Sequence, residues 1–284
     1  MSTRRPPEEE AAGGSGGDLA AEGSQQDTLA RLDILRIRAE NPGPLSLSGT
    51  NTWVLGREPA WVIDPGPALD EHLSRLLAAI EQRGGLGGVA LTHDHGDHSA
   101  ALRPLLARCP APLAAGRGDP DVQLADGVRF GPLEAVATPG HAEDHFAFVG
   151  NRALFSGDAV LGEGSVFISP YPGAMAGYLH ALERLRARSD FTVLCPGHGP
   201  PVWEPRAKLQ EYLDHRQDRE TRLVRALEEG RRKVPDLLDA AWDDVPEHLR
   251  PFATVTLAAH LGKLEEEERL PAGVERPDLP RSEV

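Results

Sequence analysis

Between residues 30 and about 200, short apolar runs alternate with amphipathic stretches; beyond 204 the short runs stop. Thr52-Trp-Val-Leu-Gly and Ala60-Trp-Val-Ile-Asp predict two strands joined by a turn near Glu58-Pro59. Leu73, Leu76, Leu77 and Ile80 recur at three-to-four spacing and predict a helix from Leu69 to Arg83, ended by Gly84-Gly85. Gly88-Val-Ala-Leu-Thr predicts a short buried strand. A further helix is expected from Ser99 to Arg108, limited or kinked by Pro104. Strands are expected near Gly127–Phe130 and Leu133–Ala137. His145–Val149 and Arg152–Ser156 flank Gly150-Asn151, a two-residue hairpin signal. Met175–Arg188 reads as an amphipathic helix and Phe191–Cys195 as one more strand. Glu204–Arg232 then reads as a long polar helix. Short helices follow near Asp236 and over Glu247–Glu268, with Pro235, Pro246 and Pro251 between them. The pattern implies an α/β body over 30–203 and a helical appendage over 204–270.

The ends differ in texture. Residues 1–28 are Glu, Gly, Ala and Ser with almost no large apolar group, and are expected to be a disordered acidic tail. Residues 271–284 read as a flexible tail. Forty per cent hydrophobic and 26% charged residues fit a globular chain. No run approaches a membrane span, and no secretory signal is visible. Two cysteines, Cys109 and Cys195, make no disulfide framework, so a cytoplasmic location is expected. The formal charge of −14 opposes non-specific binding to double-stranded DNA.

The chemistry concentrates in Thr92-His-Asp-His-Gly-Asp-His98, three histidines and two aspartates directly after an apolar run. A core strand would owe each of these groups a buried hydrogen-bond partner. A loop at a strand end would not. His141, Asp158 and His198 likewise follow expected strands, each directly after a glycine. Strand ends gather site residues because a sheet aims its loops to one edge, and glycine allows a tight turn beside a bound ion. Imidazole and carboxylate without thiolate suit zinc, with iron or manganese as alternatives. Seven ligands exceed one tetrahedral ion and suffice for two. His72, His180, His215, His248 and His260 lack such neighbours and read as structural or solvated. His145 reads as a satisfied hydrogen-bond partner rather than a proton donor.

His93-x-His95-x-Asp97-His98, His141, Asp158 and His198 together resemble the metallo-β-lactamase superfamily. Asp64-Pro-Gly, Thr138-Pro-Gly-His, Phe155-Ser-Gly-Asp and Pro196-Gly-His-Gly strengthen the likeness. The resemblance implies an αββα sandwich of two mixed sheets with metals at one edge. It places His93, His95 and His141 on one metal, Asp97, His98 and His198 on the second, and Asp158 between them. It implies two zinc ions, other divalent metals being alternatives, and a metal-bridged hydroxide oriented by Asp97 as the catalytic carboxylate. Asn41-Pro-Gly-Pro…Gly49-Thr-Asn-Thr-Trp, Asp144-His145, Leu161-Gly-Glu-Gly and His215-Arg216-x-x-Arg219-Glu220 are similar to the lactamase-beta-two-like hydrolases. That likeness covers about residues 40 to 268 and implies a winged-helix-like C-terminal domain. Asp94 and Ser99-Ala-Ala depart from the family pattern.

The scissile bond stays open. Members of that branch include an endoribonuclease of single-stranded RNA and fungal thioesterases, and the likeness leans towards RNA cleavage. Composition leans towards a small ester or thioester, as in a glyoxalase II-like enzyme. Aromatics are only 5%, and the arginines between 206 and 233 are interspersed with Glu and Asp, the pattern of an ion-paired face. A metal-free binding module is a third class, and the complete ligand set argues against it.

Overall fold

The computed structural model describes residues 27–279. The expected disorder of the N-terminal tail therefore falls almost wholly outside the described residues. Among the described residues, eleven strands form two sheets. The first contains β1 (Ile34–Arg38), β2 (Asn51–Leu55), β3 (Ala60–Ile63), β4 (Leu86–Ala90), β5 (Leu113–Ala115) and β6 (Val122–Gln123), in that order. The second contains β7 (Arg129–Phe130), β8 (Leu133–Ala137), β9 (Phe146–Gly150), β10 (Ala153–Gly157) and β11 (Val193–Pro196), paired in the order β11-β10-β9-β8-β7. Both sheets are mixed. β1-β2-β3 pair antiparallel and β3 to β6 parallel, while β10 pairs antiparallel with β9 and parallel with β11.

Alternation along the strands explains the layers. Trp53, Leu55 and Ile63 of one sheet meet Phe148, Phe155 and Cys195 of the other in a shared core. The intervening Val54, Val62 and Val89 face outward, against Leu73, Leu76 and Ile80 of helix α1 (Asp70–Gln82). On the far side, Val149, Leu154 and Leu194 pack against Tyr178, Leu182 and Leu185 of α4 (Ala174–Ala187). The result is the αββα sandwich that the resemblance implies.

Two short helices, α2 (Gly96–Ser99) and α3 (Leu102–Arg108), stand where one was expected. Pro104 lies in the first turn of α3, where an amide has no intrahelical partner, so it neither limits nor kinks that helix. The β9–β10 turn is shifted by one residue from Gly150-Asn151. Asn151 and Arg152 take its two positive-φ positions, at 49° and 58°.

Helix α5 (Pro205–Glu228) joins body to appendage. Leu209 and Tyr212 belong to the body core, whereas Leu223, Ala226 and Leu227 belong to a separate helical core with α6 (Val234–Ala241) and α7 (Arg250–Glu266). Residues 271–284 read from sequence as flexible, yet Val274 packs on that helical core. Glu275 accepts the Val234 amide and donates its own amide to Arg232 O. Among the described residues no helix is long and apolar enough to cross a membrane.

Leu209 is fully buried at the joint of α5 and the body. Leu209→Ala is expected to cost about 2–5 kcal/mol through lost transfer energy and a residual cavity. Urea unfolding measures it, and a loss below about 1 kcal/mol would show that the helix is not docked there.

Candidate functional site

The seven expected site residues converge at one rim of the sandwich. His93 and His95 lie in the loop after β4, Asp97 and His98 on α2, His141 after β8, Asp158 after β10 and His198 after β11. Three groups of ligand atoms lie within 4.8 Å of one another: His93, His95 and His141; Asp97, His98 and His198; and His93, His98 and Asp158. The two Asp158 oxygens reach both sides. Oδ1 is 3.5 Å from His98 Nε2, while Oδ2 is 3.6 Å from His141 Nε2 and 3.3 Å from His198 Nε2.

Outward hydrogen bonds fix how these rings face. His93 Nδ1 meets Thr92 Oγ1 at 3.0 Å, and that hydroxyl already donates to Asp64 Oδ2, so the ring donates here. His98 Nδ1 faces Asp64 Oδ2 at 2.9 Å, His141 Nδ1 faces Phe167 O at 3.3 Å, and His198 Nδ1 faces Gly49 O at 3.4 Å. Each partner is an acceptor, so each Nδ1 carries a proton and each Nε2 is directed inward, as a lone pair on a neutral ring or, on His98 and His198, as a proton donor to the carboxylates. Inward nitrogens crowd one another at 2.9–3.3 Å, and buried Asp158 Oδ1 has no hydrogen-bond partner. Imidazole and carboxylate donors turned inward with their outer atoms committed suit divalent cations. The residues present fit a two-metal centre.

Glycine makes room for the crowding. A Cβ on Gly197 would stand 2.3 Å from Asp158 Oδ1 and 2.7 Å from His98 Cε1. Gly157 has φ +48, and a Cβ there would stand 2.7 Å from the Thr92 side chain.

The electrostatics ask for positive charge. Burial opposes protonation of His98, but the Asp158 and Asp64 carboxylates hold it well above its ordinary value. His198 is likewise raised to about 9 against burial, by Asp158 and by its hydrogen bonds to Asp158 and Asp97. Burial opposes ionisation of Asp97, yet the His198 hydrogen bond and the His98 charge bring it down to about 2. Burial lowers His141 to about 4, so it is neutral at pH 7.

Several supporting residues stand in the quoted motifs but had no role assigned from sequence. Asp64, in left-handed backbone at φ +51, accepts the Thr92 amide and hydroxyl, each at 2.7 Å, as well as His98. Asn41 brackets buried Thr50 from both sides of its side-chain amide, and Thr50 Oγ1 donates to Asp97 Oδ2 at 3.1 Å. His145 matches its expected role. It bonds Thr138 Oγ1 through Nδ1 at 2.7 Å and accepts the Asp158 amide on Nε2 at 3.0 Å.

A cavity of about 570 Å³ opens over this rim. His95, Asp97, His141, Asp158 and His198 form its floor. Leu45, Leu47, Val166 and Phe167 wall it from the body, and Trp242, Val245, Leu249 and Phe252 from the appendage. Phe167 lies over the His141 ring at 4.6 Å and stacks on Phe252 at 6.0 Å. His215 and Arg219 also line the cavity, and Arg219 Nε donates to His215 Nε2 at 3.1 Å. Burial and the neighbouring arginines lower His215 to about 4. Sequence reading gave His215 a bland role; its approach to the site depends on contacts across the fold.

Sandwich and rim together define a metallo-hydrolase architecture. The chain belongs to the metallo-β-lactamase superfamily, whose family model matches residues 45–121 and 116–198, and it is a hydrolase of that fold. A β-lactamase-associated winged helix domain matches residues 234–271. The chain is similar to a "Beta-lactamase-like protein 2 homolog" of Caenorhabditis elegans, at 31% identity over 81% of this chain and 83% of that one. It is also similar to an "Atrochrysone carboxyl ACP thioesterase" of Aspergillus chevalieri, at 31% identity over 86% and 85% of the two chains. A β-lactamase domain protein from Burkholderia ambifaria shares the fold, with a TM-score of 0.70 at 20% identity over 85% of this chain and 90% of that one.

Removing the Asp64 carboxylate leaves the Thr92 amide and His98 without their partner. Asp64→Ala is therefore expected to weaken metal binding about 10–100-fold, read by competition with a chromophoric chelator. Unchanged affinity contradicts that role.

Acid should destabilise the metal-free chain. Burial lowers His72, His93, His95, His141, His145, His215 and His260 from 6.5, while His98 and His198 are raised. A lowered histidine contributes stability above its unfolded value and loses it as pH falls towards its folded value; a raised one contributes in the opposite sense. The lowered group is larger, so the urea midpoint should fall between pH 6.5 and 5. A midpoint that rises over this window contradicts the balance.

Proposed function

We propose that the chain is a di-zinc acyl hydrolase that cleaves thioesters or esters of largely apolar acyl groups. The observation that carries the reading is the cavity, which joins the histidine–aspartate rim to an apolar wall supplied by both body and appendage. Pockets of a few hundred cubic ångströms with few, convergent polar groups suit small ligands.

In this reading His93, His95 and His141 hold one metal, Asp97, His98 and His198 hold the other, and Asp158 spans them. When bound, the pair supplies Lewis acidity at the scissile carbonyl and makes water nucleophilic near neutral pH. Asp97, at 35% side-chain exposure the more open of the two rim carboxylates, faces the cavity and orients the attacking water by accepting its hydrogen bond. Thr50 holds Asp97 in that attitude. The apolar walls seat the acyl group and exclude bulk water. His215 is neutral at pH 7 and His145 is committed on both nitrogens, so neither is a ready acid for the leaving group. A thiolate leaves without needing a proton, which favours a thioester over bonds with more basic leaving groups.

RNA cleavage, the lean of the family likeness, gains no support from the long helix. Arg219 is engaged by Asp244 and Ala241 O, Arg222 by Asp243, and Arg225 by Glu229. A phosphate track needs cations free to meet the strand.

Hydrolysis by zinc-loaded protein across acyl thioesters, esters and single-stranded RNA tests the proposal. Thioester turnover is expected, and it should survive Arg222→Glu/Arg225→Glu. Asp158→Ala should lose metal and turnover together, whereas exposed His180→Ala should keep both. His72 is no neutral control, because its buried ring bonds Thr52 and Pro65 O. RNA cleavage without acyl turnover sinks the reading.

A further inference from the structure

Arg216 is a buried cation without a counter-charge. Its side chain lines the cavity from α5 and is 2% exposed. Nη2 donates to Ser165 Oγ at 3.0 Å and to Val166 O, and the guanidinium carbon stands 5.6 Å from the Tyr178 ring centroid. Nε is buried with no hydrogen-bond partner. Among the described residues no carboxylate lies within ion-pair distance of it. The nearby acids are engaged elsewhere. Asp244 is bidentate with Arg219, and Glu220 pairs with Lys263 and Arg269.

Arginine cannot shed its proton inside a protein. Two neutral acceptors and one aromatic face satisfy part of its hydrogen-bonding capacity, but they leave a full charge uncompensated in a poorly hydrated wall. Ser165 and Val166, which hold Nη2, line the cavity themselves, so the charge sits at the surface that a substrate would touch.

Resting on the acyl-hydrolase reading, we propose that Arg216 binds an anionic oxygen carried by the acyl portion of the substrate. The ligand class is an apolar acyl group bearing a carboxylate away from the scissile carbonyl. The acyl side is favoured over the leaving group because a carrier or cofactor thiol must extend to solvent, which Arg216 does not reach. The charge completes an ion pair that the protein leaves half-made, and it selects among acyl groups that the apolar walls would otherwise accept alike.

The test uses zinc-loaded full-length protein and two probes: the mono-N-acetylcysteamine thioester of octanedioic acid, and the same thioester with its far carboxyl methylated. The wild type is expected to favour the free carboxylate in kcat/KM roughly 10–100-fold, the range of a hydrogen bond to a charged group. Arg216→Gln should bring the ratio close to one by raising KM for the carboxylate probe. Arg216→Lys should restore part of it. A wild-type ratio near one overturns the proposal. So does a preference that persists in Arg216→Gln, which would place the anion at the metals, and so does an equal loss on both probes, which would make Arg216 a bracket for α5. If Arg216→Gln fails to fold, judged by its melting temperature, the wild type and Arg216→Lys decide by the same ratios. If neither probe turns over, the acyl-hydrolase reading falls, and calorimetry decides the subsite. Tighter binding of monomethyl octanedioate than of dimethyl octanedioate, seen in the wild type and absent in Arg216→Gln, supports it; equal binding overturns it.

Discussion

Four imidazoles at the rim have their outer nitrogen already bonded, and the rest of the site depends on that commitment. Thr92, Asp64, Phe167 O and Gly49 O each take one proton, so each ring turns its other nitrogen inward. Inward imidazole nitrogens and two carboxylates in a buried space form an arrangement that positive charge, as protons on His98 and His198 or as metal ions, relieves. The sandwich exists, in effect, to bring those outer acceptors to one edge. They come from the ends of β3 and β4, from the loop before β2 and from the segment ahead of α4, and the Gly49 carbonyl stands 149 residues in sequence from the His198 ring that it holds.

The appendage turns this histidine–aspartate rim into a walled pocket. Without it the floor of the cavity would face solvent. Helix α5 serves two cores, and the Arg219–Asp244 pair ties it to the α6–α7 connection. Trp242, Leu249 and Phe252 are thereby held over the histidine–aspartate rim. Metal chemistry on this fold can serve many bonds, so the wall argues for the substrate more strongly than the floor does.

Much of this was legible in sequence, for physical reasons. His93, His95, Asp97 and His98 stand out because no core strand could satisfy so many polar groups, and Asp158 and His198 because each follows an apolar run and a glycine. An α/β body was legible in the pattern of apolar runs, and the sandwich only through the family likeness. Other parts were hidden. β1 carries Arg36 and Arg38 between its apolar residues, and β5 and β6 have only three and two residues, so none shows a strand period. Asp-Pro-Gly at 64–66 counts towards the family likeness without a role of its own, although Asp64 organises Thr92 and His98. The arginines of α5 read as an ion-paired face, but their partners Asp243 and Asp244 lie beyond the helix, where spacing does not reveal them. The cavity could not be read at all, since its walls come from residues 45–47, 161–167 and 242–256.

The central claim is that two metals occupy this rim, one on each side of Asp158. Anomalous diffraction at the zinc edge, from crystals grown with zinc, tests it most directly. Two peaks are expected, one among His93, His95 and His141 and one among Asp97, His98 and His198, with Asp158 touching both. A single peak on one side, or strong peaks only at surface carboxylates, contradicts the account.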